Sequence, residues 1–182
     1  GEAYILSLAY EAFHPEIDVT SINQINRVTE IHQADGKNDL LQQVENGALS
    51  VVNSYLALGR LYRGIICGGL RQYVLLGDAA AMTDGKLGNE DDRWLFTENN
   101  PAREFSTAAN LAATSRVLKG FNDTLSIHCL NIAREIFQRT GDSGPHIAFA
   151  KIQAAVELYL ATDENLYKDF LLDNKELIVK QI

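Results

Sequence analysis

The chain has 182 residues, 46% hydrophobic and 22% charged, with a net charge of −8. That is the composition of one globular domain with a sizeable core, and it argues against intrinsic disorder. No cluster of Lys and Arg is present for phosphate contact, so a nucleic-acid partner is not expected, and no apolar run approaches the roughly 20 residues of a membrane span.

Residues 3–13 place Tyr4, Ile5, Leu8, Ala9 and Ala12 at helical spacing, and His14-Pro15 closes this first helix because the residue before proline avoids helical backbone. The pattern starts in mid-helix with no leader segment, which reads as a chain cut from something longer. From Glu16 to Lys37 the polar residues and Asp35-Gly36 predict a long ordered loop, of a kind that is functional or packed across a face. Asn38-Asp39 caps a second helix with a broad apolar stripe, Leu41, Val44, Ala48, Val52 and Tyr55 among it, expected to run to about Tyr62.

The segment from Arg63 to Phe96 is rich in glycine, with β-prone runs at Ile65–Cys67 and Tyr73–Leu76, and predicts an irregular excursion holding at most short strands. It ends in an acidic patch, Glu90-Asp91-Asp92, followed by Arg93 and the single tryptophan, Trp94. Asn100-Pro101 then opens an alanine-rich helix to Lys119, Gly120 ends it, and Asn122 or Asp123 caps the next, which reaches toward Gly141. The tight turn makes these two helices antiparallel neighbours. Gly144-Pro145 opens another helix ending at Thr162-Asp163, and two shorter helical pieces complete the chain. The expectation is a single all-α domain over 1–182, built of antiparallel α-hairpins as a toroid or a solenoid. No fixed repeat period supports a regular array.

Several chemistries are poorly served by these residues. His14, His32, His128 and His146 have no paired spacing for zinc, there is no Gly-x-Ser-x-Gly nucleophile motif, and Gly68-Gly69 makes no phosphate loop. Cys67 and Cys129 lie in apolar contexts and read as buried free thiols. Asp91 and Asp92 are either solvated or capping acids or ligands for calcium or substrate hydroxyls, since hard cations take oxygen donors from such loops. As neighbours they do not suit an inverting glycosidase pair, whose carboxylates stand ~6.5–9.5 Å apart. Trp94 among charges suits either sugar stacking or a plug between loop and helix. Arg93 could orient the loop against an acid, and Arg71 could line the same mouth.

Four stretches occur in a suggestive order: Leu40–Tyr62 with Arg63-Gly-Ile; Leu70 to Asp78, ending Leu-Gly-Asp; Asp91-Asp-Arg-Trp94 with Glu98-Asn-Asn-Pro101; and Thr107 to Leu118. Together they resemble the middle of a family 9 glycoside hydrolase, the cellulase family with an (α/α)6 barrel. The resemblance implies endo-β-1,4-glucanase activity, inverting hydrolysis of cellulose or a related β-glucan, and a secreted or periplasmic protein needing no cofactor. It makes Trp94, Asp91, Asp92, Arg93 and Arg71 candidate substrate-binding residues on a cleft wall. The family's catalytic base lies in an Asp-Ala-Gly-Asp motif that this chain lacks, and its general acid is a downstream Glu to which Glu176 does not correspond. By this reading the chain supplies no catalytic carboxylate, and its exposed helix faces favour self-association. A helical scaffold binding protein partners is the reading from a different class.

Overall fold

The computed structural model describes residues 1–23, 25–67, 85–88, 92–141 and 144–180, with only the backbone of Cys67, Pro145 and His146. The protein is mostly helical, with two two-stranded sheets among the described residues. Helix α1 spans Glu2–Phe13 and stops at His14, whose φ of 44° is left-handed and whose N–H donates to Tyr10 O. Pro15 follows and cannot continue a helix.

The segment expected to be a plain loop contains an antiparallel hairpin, β1 (Thr20–Asn23) with β2 (Val28–Ile31). Its strands carry Thr, Ser, Asn and Glu rather than an alternating apolar pattern, so the sequence offers little strand signal. Side-chain carboxylates tie it down. Asp39 accepts hydrogen bonds from Val19 N and Thr20 N, and Asp18 accepts from Asp35 N and Gly36 N.

Helix α2 spans Asp39–Leu58, started by Asn38 Oδ1, which accepts from Leu40 N and Leu41 N. It stops four residues short of the expected Tyr62 because Gly59, at φ 66°, takes the left-handed cap. Strand β3 (Gly64–Cys67) pairs antiparallel with β4 (Arg93–Phe96), Ile66 opposite Trp94 and Cys67 opposite Arg93. The run Ile65–Cys67 is thus a strand; Tyr73–Leu76 lies outside the described residues.

Helix α3 (Pro101–Leu118) is the centre of the core. It packs against α1, α2, α4 (Asp123–Arg139) and α5 (Pro145–Thr162), and ten of its side chains are buried. Ala108, Ala109, Ala112 and Ala113 are at 0% exposure, and their small volume lets neighbouring helices approach on several sides. A four-residue turn containing Gly120, at φ 84°, folds α4 back along α3, and Asn122 Oδ1 caps α4 at Leu125 N. Asp163, left-handed at φ 56°, ends α5, followed by α6 (Asn165–Asp173) and α7 (Lys175–Val179).

A partly buried polar network crosses this core. Arg116 of α3 donates to both carboxylate oxygens of Glu11 in α1, at 2.6 and 2.8 Å, and its Nη1 lies 2.8 Å from Glu157 Oε2 of α5. Tyr4 OH donates to the other Glu157 oxygen at 2.6 Å. Three helices are therefore held in register by one guanidinium, whose planar fork suits paired carboxylates.

Candidate functional site

The β3–β4 ribbon meets the body of the protein where α2 ends and α3 begins. Arg63 N donates to Phe96 O at 2.7 Å, so the residue before β3 is joined to the last residue of β4. Two residues further on, Glu98 sits between two arginines: Oε1 accepts from Arg103 Nη1 at 2.6 Å and Oε2 from Arg63 Nη1 at 2.8 Å. Arg103 also donates to Tyr62 O at 2.7 Å, and Arg60 to Glu98 O at 3.3 Å. Asn100 Oδ1, the cap of α3, accepts from Arg103 N and so places Arg103 in the first turn of α3, against the ribbon's base.

This arrangement fixes the chemistry open to Glu98. Hydrogen bonds from Arg103 and then Arg63 hold its carboxyl below the ordinary carboxylate range. Glu98 is therefore ionised at neutral pH and serves as an anchor between α3 and the ribbon, poorly suited to donating a proton. Beside it, a cleft of about 180 Å³ is lined by the apolar Val51 and Leu61 together with Ser50, Ser54, Tyr62, Arg63, Arg103 and Thr107, which bring hydroxyl and guanidinium groups.

Trp94 stands in the middle of β4 and is 67% exposed. Its strand neighbours Arg93, Leu95 and Phe96 are exposed too, as are Ile65 and Ile66 on β3. An indole this open contributes little to the core, so the reading of Trp94 as a plug between loop and helix loses ground to a surface role. Asp92 Oδ2 accepts a hydrogen bond from Gly88 N at 2.5 Å. The structure thus brings Asp92, Arg93 and Trp94 together at the start of one strand. Asp91 and Arg71 lie outside the described residues.

The partners of Glu98 were not singled out by the sequence reading. The one available signal was the spacing Glu98-Asn-Asn-Pro101-Ala-Arg103, in which a cap residue turns the chain so that an acid before a helix meets a base in its first turn. Arg63 carried no such local signal. Elsewhere, Cys129 is a buried free thiol whose pKa burial pushes up to about 12, which makes it inert as a nucleophile; of the Cys67 side chain nothing is described. Among the described residues no group of three or more His, Cys, Asp or Glu is gathered to hold a metal ion.

Comparison with protein-family models, with curated proteins and with solved structures finds no match to this chain.

Proposed function

We propose that the chain is part of a glycoside hydrolase that cleaves β-1,4-glucosidic bonds in cellulose or a related β-glucan with inversion, and that its helices belong to an (α/α)6 barrel. The observation that carries this reading is Trp94: a single tryptophan, 67% exposed, on a short strand whose base is fastened by the Arg63–Glu98–Arg103 ion pairs. A flat apolar ring held open to solvent on an anchored ribbon is a platform for the apolar face of a sugar ring. Arg93 and Asp92 beside it, with the hydroxyl and guanidinium groups of the neighbouring cleft, offer partners to sugar hydroxyls. Asp91 and Arg71 belong to the same proposed wall.

These residues bind; they do not supply the reaction. An inverting hydrolase needs one carboxyl group to protonate the leaving oxygen and a second to activate water. Glu98 is committed to two arginines, and the chain has no Asp-Ala-Gly-Asp motif. The proposal includes a secreted or periplasmic location and no cofactor, calcium being the alternative use of the acidic loop. It also includes self-association, to which the exposed Ile5 and Phe13 of α1 and Leu160 of α5 would contribute.

The test is a pair of measurements. The 182-residue chain should release no reducing sugar from β-glucan while a longer parent does, and hydrolysis by the short chain would refute the assignment of the catalytic carboxylates elsewhere. Trp94→Ala in the parent should weaken cellotetraose binding by roughly two- to tenfold, the range expected for one stacking contact. Unchanged affinity would remove Trp94 from the cleft.

A further inference from the structure

The cleft beside Glu98 is built from three pieces of chain that the fold brings to one place. Ser50 and Ser54 lie one turn apart in the C-terminal half of α2, and Arg103 and Thr107 lie one turn apart at the start of α3. Leu61, Tyr62 and Arg63 line it from the segment that leads from α2 into β3. Its volume of about 180 Å³ is below the roughly 300–1,000 Å³ of a site for a whole small molecule, so it fits one chemical group of a ligand.

Charge distinguishes this lining. Arg63 and Arg103 are its charged residues, and among the described residues no carboxylate lines it with them. The two guanidiniums share one carboxylate, that of Glu98, which takes a single N–H from each. Arg103 uses a second N–H on Tyr62 O, while Arg63 makes no further side-chain hydrogen bond among the described residues. A guanidinium carries five N–H donors, so most of those here are uncommitted. With side chains 70% and 40% exposed, Arg63 and Arg103 are open to a solute. Arg60, which donates to Glu98 O, brings a third guanidinium to the same carboxylate. In a chain of net charge −8 this is a local reversal of sign.

We propose that this cleft binds an oxyanion group of a ligand, a carboxylate or a phosphate, with Arg63 and Arg103 as its donors. A planar guanidinium presents paired N–H groups that match the oxygens of either group. A metal cation is repelled by both arginines and finds no carboxylate in the lining. A neutral hydroxyl leaves the excess positive charge uncompensated, and its hydrogen bonds are weaker than those of an ionised acceptor. Ser50 adds a hydroxyl, whereas those of Ser54 and Thr107 already donate to Ser50 O and Arg103 O. The inference rests on the charge of the cleft and holds whether or not Trp94 binds glucan.

The experiment is an NMR titration of the 182-residue chain at pH 7 with sodium phosphate and with sodium glucuronate, against glucose and against sodium chloride at equal ionic strength. Saturable amide shifts should concentrate in residues 50–54, 61–63 and 103–107, with half-saturation on the order of 1–10 mM for the better anion. That anion names the source of the group, a phosphate or a sugar carboxylate. The shifts should persist in Trp94→Ala, which separates this site from the glucan platform, and should need about tenfold more anion in Arg63→Gln. Should Arg63→Gln loosen the ribbon, the shift maps of the unaltered chain and of Trp94→Ala still decide the matter. Absence of a saturable shift with either anion would overturn the inference, as would the same shifts with sodium chloride or saturation of the same residues by glucose at the same concentrations. Shifts centred on 93–96 and lost in Trp94→Ala would place the ligand on the ribbon and overturn it as well.

Discussion

Helix α3 and strand β4 are separated by four residues of chain and are opposites in every physical respect. The helix buries ten side chains among four neighbouring helices, while all four residues of β4 face solvent, an indole among them. Apolar burial is what stabilises a fold, at about 25 cal/mol per Å² removed from water, so α3 contributes to stability and β4 contributes very little. The contrast assigns different work to each. Packing on α3 fixes where the chain goes, and β4 is free to carry groups that a core would not tolerate in the open.

The strongest way to break this division is to damage the core at the Arg116 crossing. Arg116→Met should cost about 3–5 kcal/mol, because it strands the Glu157 carboxylate, whose side chain is only 6% exposed, without its cation. Urea denaturation of the variant measures this. Adding Glu157→Gln should recover a large part of the loss, since the penalty is that of an uncompensated charge. No recovery would mean that Arg116 acts through packing of its stem instead.

A smaller effect is expected where α1 crosses α2. Gly47 sits inside a helix, a costly place for glycine, and a Cβ built there would lie 3.0 Å from Ala3 Cβ. Gly47→Leu should therefore lower stability by about 1–3 kcal/mol through overpacking. Gly47→Ala should be close to neutral, its gain in helix propensity of up to about 1 kcal/mol offset by displacement of α1. A clear stabilisation by both substitutions would show that α1 is only loosely applied to the core.

How much of this was legible beforehand follows from where the determining contacts lie in sequence. Caps and breaks act within a few residues, so Asn38, Asn100-Pro101, Gly120, Asn122 and Asp163 declared the helix ends directly. Gly59 was visible too, yet the apolar residues Leu61 and Tyr62 beyond it extended the expected helix past its true end. The β1–β2 hairpin was invisible because carboxylates 17 to 20 residues away along the chain, Asp18 and Asp39, anchor it, and no window of local pattern contains both partners. The candidate site divides the same way. Trp94 was singled out from its composition and context, whereas the pairing of Arg63 with Glu98, 35 residues away, could be known only from the fold.

The finest test concerns the fastening between the two regions. Glu98 has a folded-state pKa depressed below its ordinary 4.5 by the hydrogen bonds from Arg103 and Arg63. A depressed carboxyl contributes stability that is fully present above the unfolded pKa and is lost as pH falls through the folded one. The ribbon's attachment should thus be intact at neutral pH and weaken only below about pH 4.5. Because Glu98 ties the ribbon's base and α3's core is held by apolar burial and the Arg116 network, the ribbon should loosen first. The Trp94 indole resonance, followed against far-UV helicity during acid titration, is expected to change before helicity falls. In Glu98→Gln, which keeps the side chain's size and removes its charge, the resonance should already resemble the acid form at pH 7 and the early transition should vanish. Coincident loss of both signals in the unaltered chain would mean that ribbon and core unfold as one unit, and the division drawn from α3 and β4 would describe burial without describing stability.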